Sequence, residues 1–138
     1  MLKKIFGSWG GYTLLPVRLA LGSIFIAHGG QKLFGLWGGP GIQGFGMYLD
    51  GLGLKPGFVF ALLAGCAEFF GGLMVLLGIY ARWGALFISV VMGVAVATVH
   101  WKNGFFLMNQ GYEYNVALLG LALALVFGGS GKFSIKGD

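Results

Sequence analysis

Charge is what this chain lacks. Only 9% of its 138 residues are Asp, Glu, Lys or Arg, against about a quarter in an ordinary water-soluble domain. That shortfall places it far outside the soluble class. Cysteine is nearly missing too: the lone Cys66 excludes an internal disulfide and a multi-cysteine metal site, and an apolar filler role suits it. The net charge of +5 does not point to nucleic acid, because the basic residues stand singly at the edges of apolar runs and build no patch. In a membrane protein such scattered cations set topology and attract anionic lipid. The bilayer is the expected partner, and nucleic acid is not.

What the chain has in abundance is apolar length. Hydrophobic residues make up 57% of it, and its mean hydropathy is +0.85. Four apolar segments stand out at about 12–34, 57–79, 82–101 and 113–129, each near the ~20 residues that cross a hydrocarbon core. An open strand would leave its backbone polar groups unpaired in lipid, so each segment is expected to be helical. Pro56 stands where the second helix would begin. Tyr80-Ala81-Arg82-Trp83 makes so short a connection that helices two and three must be antiparallel neighbours. The expected fold is therefore an all-α integral membrane protein: a bundle of four transmembrane helices forming one domain over residues 1–138. Arg18 inside the first run, and the length of that run, argue against a cleaved signal peptide.

Orientation follows from the cations outside the helices. Lys3, Lys4, Arg82, Lys132 and Lys136 fall on one side, and Lys32, Lys55 and Lys102 on the other. The richer side is assigned to the cytoplasm, with both termini in it. Trp9, Trp37, Trp83 and Trp101 flank the spans as an interfacial belt. Residues 35–56 are too polar and glycine-rich to span, yet Ile42, Phe45, Leu49 and Leu52 recur at helical spacing. A short interfacial helix is expected there, in place of a disordered loop. Gly39-x-Gly41-x-x-Gly44 imitates a dinucleotide fingerprint, but no strand precedes it, and the match is chance among 28 glycines.

The ionisable residues within the segments are few: Arg18, His28, Lys32, Glu68, His100 and Glu113. Each costs at least ~2.5 kcal/mol near a bilayer centre and normally faces the bundle interior. Arg18, His28 and Lys32 share an arc of roughly 80° on the first helix. Rows of small residues are expected to mark the packing faces. These rows are Ala61, Ala64, Gly65, Gly71 and Gly72 around Glu68; Ser89, Gly93 and Ala97 with His100; and Ala117, Gly120, Ala124 and Gly128 with Glu113. Arg18 and Glu68 are expected to pair as a structural clasp. His28, His100 and Glu113 are expected at similar depth on the outer side. Such a trio suits a quinone head group, proton transfer, a metal, or contacts with lipid head groups and water. The absence of H-x-x-H or E-x-x-H spacing argues against the metal.

These residues carry a resemblance. PVRLALGSIFIAHGGQKLF at 16–34, AGCAEFFGGLMVLLGIYAR at 64–82, VHWKNGFF at 99–106 and GYEYNVALLGLALALVFGGSGKFS at 111–134 resemble DoxX, a family of small four-helix bacterial membrane proteins. The family pattern carries over onto Arg18, His28, Lys32, Glu68, His100, Glu113 and Asn115, with Lys32 and Asn115 as ligand-binding residues. It departs at Lys136, where relatives often place an aspartate. The resemblance implies a component of redox systems in the bacterial inner membrane, an oxidoreductase subunit linked to quinone. The chain shows no flavin, haem or iron–sulfur motif, so a quinone or a partner subunit must bring the electron carrier. The alternatives are a non-catalytic module that recruits a soluble oxidoreductase and a small-solute or proton pathway. Homo-oligomers are open to either.

Overall fold

The computed structural model describes residues 10–138; Lys3, Lys4 and Trp9, used above for orientation and belt, lie outside them. The described chain is helical, and its only β-type pairing is an isolated parallel bridge between Ile79 and Lys136. The helices are α1 (Leu15–Phe34), α2 (Gly41–Gly51), α3 (Gly57–Leu77), α4 (Ala81–Ala95) and α5 (Glu113–Gly128). α4 runs on through a wide π-helical turn, Val96–His100, and a 3-10 turn, Trp101–Asn103. Among the described residues two helices are long and apolar enough to cross a membrane: Gly57–Leu77, with a mean hydropathy of 2.1, and Ala81–Asn103, with 1.8.

Local chemistry accounts for the boundaries. Pro16 opens α1, where a missing N–H costs nothing, and Gly35 closes it in the left-handed conformation, its N–H on the carbonyls of Gln31 and Gly30. Pro56 caps α3 and Gly78 ends it at φ 65°. The apolar spacing of residues 42–52 forms α2, which packs on α1 and α3.

α1 lies closest on α3, and glycine makes that seam. A Cβ added to Gly29 would sit 2.5 Å from the backbone nitrogen of Phe69, and one on Gly72 would sit 2.7 Å from that of Ile26. α3 packs on α4 and α4 on α5, while α1 and α5 meet only sparsely. The core is Leu21 and Phe25 of α1, Val75 of α3, Ala85, Ile88 and Met92 of α4, and Leu118, Ala122 and Leu125 of α5.

The small-residue rule succeeds on α3 and fails on α4 and α5. On α3, Ala61, Gly65, Glu68, Gly71 and Gly72 are buried as expected, and Ala64 is half-buried. On α4 the buried face is Ala81, Gly84, Ala85, Ile88 and Met92, so Gly93 and Ala97 point outward. On α5 it is Asn115, Leu118, Ala122 and Leu125, and Ala117, Gly120 and Ala124 are exposed. The reason is volume. α4 approaches α3 closely through a different glycine, Gly84, whose added Cβ would sit 2.7 Å from the Gly71 carbonyl oxygen. Elsewhere the burial of Ile88, Met92, Leu118 and Leu125 outweighs the closer approach small residues permit.

Candidate functional site

Arg18 and Glu68 do not meet. Both are buried, at 1% and 0% exposure, but each has other partners. All five guanidinium N–H groups of Arg18 donate to backbone carbonyls. Nε reaches Val75 at 2.9 Å; Nη1 reaches Ser130 and Lys132, and Nη2 reaches Leu76 and Phe133, each at 3.0 Å. Val75 and Leu76 lie in the last turn of α3, where carbonyls lack helical partners. Ser130, Lys132 and Phe133 belong to the tail after α5. The expected clasp is thus replaced by a staple: a five-donor fork ties one end of α1 to the end of α3 and to the tail.

Glu68 instead pairs with Lys32, whose Nζ lies 2.5 Å from Oε1. A helical wheel gives azimuth and not reach, which is why the sequence favoured Arg18. Lys32 also lies 5.1 Å from the centre of the Phe45 ring, a cation–π contact that ties α2 to the pair. The second carboxylate oxygen, Oε2, is buried with no hydrogen-bond partner among the described residues. Such an atom costs free energy unless something else satisfies it.

Two cavities meet at this pair. The larger, about 660 Å³, is walled by Phe45, Tyr48 and Leu49 of α2, Phe60 and Leu63 of α3, and Phe87, Val90 and Val94 of α4. The smaller, about 210 Å³, is bounded by Phe25, His28, Met92, Tyr114, Asn115 and Leu118. Lys32, Glu68, Ala95 and His100 line both. His28, Lys32, Glu68, His100 and Asn115 therefore gather on one wall and in one small chamber, with Arg18 and Glu113 as the exceptions.

His100 is positioned by the turn that carries it. The π-helical turn Val96–His100 shifts the register of α4 and takes His100 off the outward face of Gly93 and Ala97. Its Nδ1 lies 2.7 Å from the carbonyl oxygen of Gln110. A carbonyl only accepts, so Nδ1 carries the proton and Nε2 is left as the acceptor of the ring. Gln110 stands in the left-handed region at φ 57°, and its carbonyl also takes Asn103 Nδ2 at 3.2 Å.

Glu113 does not join the histidines. It is exposed, some 200° around α5 from buried Asn115. Its Oε2 accepts the Leu107 N–H at 2.9 Å, while the N–H groups of Gly111, Tyr112 and Glu113 close on Phe106, Gly104 and Phe105. Glu113 thus clamps the loop that holds Gln110, and Gln110 holds His100. Asn115, by contrast, is buried at the small chamber and donates to Met92 Sδ at 3.6 Å. Among the described residues no three of His, Cys, Asp and Glu gather as a metal site. Glu68 Oε2 and its two cavities are what the sequence did not reveal. A glutamate mid-helix in a row of glycines was the available signal.

The profile of the DoxX family matches residues 13–101, α1 through the π-helical turn. The chain belongs to the DoxX family. It is also 30% identical over 131 residues, 90% of this chain and 88% of the relative, to an uncharacterized protein of Haemophilus influenzae. No solved structure matches. DoxX is a membrane-associated family, in keeping with the two long apolar helices here. The family match contains Arg18, His28, Lys32, Glu68 and His100, and ends before Glu113 and Asn115.

Proposed function

We propose that this DoxX chain is a four-span inner-membrane subunit that binds a lipid-soluble carrier of the quinone class in the larger cavity. One observation carries the reading: about 660 Å³ of chiefly apolar space ends on Lys32, Glu68 and His100. Small-molecule sites run to ~300–1,000 Å³ with few polar groups, and a ring on an isoprenoid tail matches such a lining. His100 and Glu68 would hold or exchange protons at the head group, with Lys32 supplying a donor. His28, Tyr114 and Asn115 extend polar contacts into the adjoining chamber.

The four spans would be α1, α3, α4 with its continuation, and α5. The tail and the 79–82 turn share one end of the bundle, where Arg82 meets Asp138 at 3.7 Å and Lys136 lies over Tyr80. That clustering of cations supports a cytoplasmic side there. α5 has 16 residues and rises about 24 Å, so the bilayer would thin around it. A quinone carries electrons to or from a second protein, and a soluble redox partner at the membrane surface completes the reading.

Organic extraction of the purified protein followed by mass spectrometry tests it. An isoprenoid quinone should accompany the wild type near one per chain and be depleted in Ala64→Phe, which fills the cavity. Recovery of bulk phospholipid alone from the wild type would reject the proposal.

A further inference from the structure

The wall that Lys32, Glu68 and His100 build is unequal in donors and acceptors, and the inequality bears on which form of a ligand it takes. Glu68 holds the Lys32 ammonium through Oε1, so its buried Oε2 can only accept. In its neutral form His100 spends its one N–H on Gln110, so Nε2 accepts as well. Both residues line the larger cavity. Lys32, the cationic donor beside them, is already committed to Glu68 and seated against Phe45.

We infer that the cavity prefers a head group bearing hydroxyl donors, the reduced diol form, over the dicarbonyl form of the same ring. This rests on the quinone-class reading and deepens it. A diol can donate one O–H to His100 Nε2 and, with a turn of the fully buried Glu68 side chain, the other to Oε2, satisfying the orphaned oxygen. A dicarbonyl brings lone pairs to two acceptors and leaves Glu68 Oε2 unpaired, whether it turns to Lys32 or to the Tyr48 hydroxyl and Gln110 amide of the same lining. A buried polar atom left unmatched is what gives such sites their discrimination. A hydrogen bond to a charged group corresponds to about ten-fold or more in affinity. For a two-electron carrier, each ten-fold preference for the reduced form raises the potential of the bound couple by about 30 mV.

The test uses redox-inert probes, so that oxidation cannot confuse the reading. A long-chain alkylresorcinol and its dimethyl ether share ring and tail, and only the first has donors. Their affinities for the full chain in lipid nanodiscs would be measured by quenching of tryptophan fluorescence. The diol should bind the wild type about ten-fold or more tightly than the ether. In both Glu68→Gln and His100→Ala the preference should shrink to about three-fold or less while ether binding persists. Equal affinities in the wild type, or a preference unchanged in either variant, would overturn the inference and leave the quinone-class cavity standing. If neither probe binds and an alkylated benzoquinone also fails, the functional reading itself falls.

Discussion

Two buried charges sit on adjoining helices, and they are satisfied in opposite ways. Arg18 spends all five of its donors on carbonyls at 2.9–3.0 Å and abuts neither cavity. Glu68 spends one oxygen on Lys32 and keeps the other unmatched at the meeting of two cavities. A fully used group at a junction of three chain segments holds the structure together. A half-used group buried beside open volume has capacity left for a ligand that its side chain can turn to meet. The comparison separates architecture from function between two buried charges that composition alone would treat alike.

The largest effect should fall on the Arg18 end. Arg18→Leu takes a donor from five carbonyls, three of them in the tail, which is otherwise anchored by the Ile79–Lys136 bridge, the Asp138 contacts, the Lys132 N–H on Gly11 and the Ile135 N–H on Leu77. Unsatisfied buried acceptors cost about 1–3 kcal/mol each, and some here can reach water, so a net loss of about 3 kcal/mol or more is expected. Thermal unfolding in detergent measures it, and proteolysis should release residues after Gly129 first. A variant as stable as the wild type would remove the architectural half of the comparison.

Glu68→Gln should cost far less stability, about 1 kcal/mol. Lys32 keeps 22% of its side-chain surface exposed, so its ammonium can turn to water when the carboxylate goes. The substitution also removes a buried charge, which offsets part of the lost pairing. The expected signature is a small fall in the unfolding midpoint with a large loss of ligand. A destabilisation matching that of Arg18→Leu would make Glu68 a structural residue like the arginine.

Much of the architecture was legible because it depends on short-range rules. The limits of the apolar segments, Pro56, and the 3–4 spacing of Ile42, Phe45 and Leu49 each fix a helix from within. The burial of Glu68 was legible for the same reason, since the glycines beside it permit the close approach of α1. Reach was not. Arg18 and Lys32 lie on one face of α1, and only the vertical offset between α1 and α3 decides which of them meets Glu68. The inward faces of α4 and α5 were misread because small residues permit contact without demanding it. The position of His100 depends on a π-helical turn for which residues 96–100 give no signal that could be read.

The smallest effect should come from Glu113, which acts at two removes. Its carboxylate holds the Leu107 amide, the closed loop holds the Gln110 carbonyl, and that carbonyl holds His100. Glu113→Gln keeps the shape and an acceptor oxygen but gives up the charge, weakening one exposed hydrogen bond by about 0.5–1 kcal/mol. The unfolding midpoint should scarcely move. Hydrogen exchange at the Leu107 amide should quicken several-fold, while amides of the Arg18 staple keep their protection. Diol affinity should fall only about two- to three-fold, since Asn103 also binds the Gln110 carbonyl and limits its drift. A loss of binding as deep as that of Glu68→Gln would mean that Glu113 touches the ligand, and that the loop closes over the cavity more tightly than its hydrogen bonds to Phe105 and Phe106 imply.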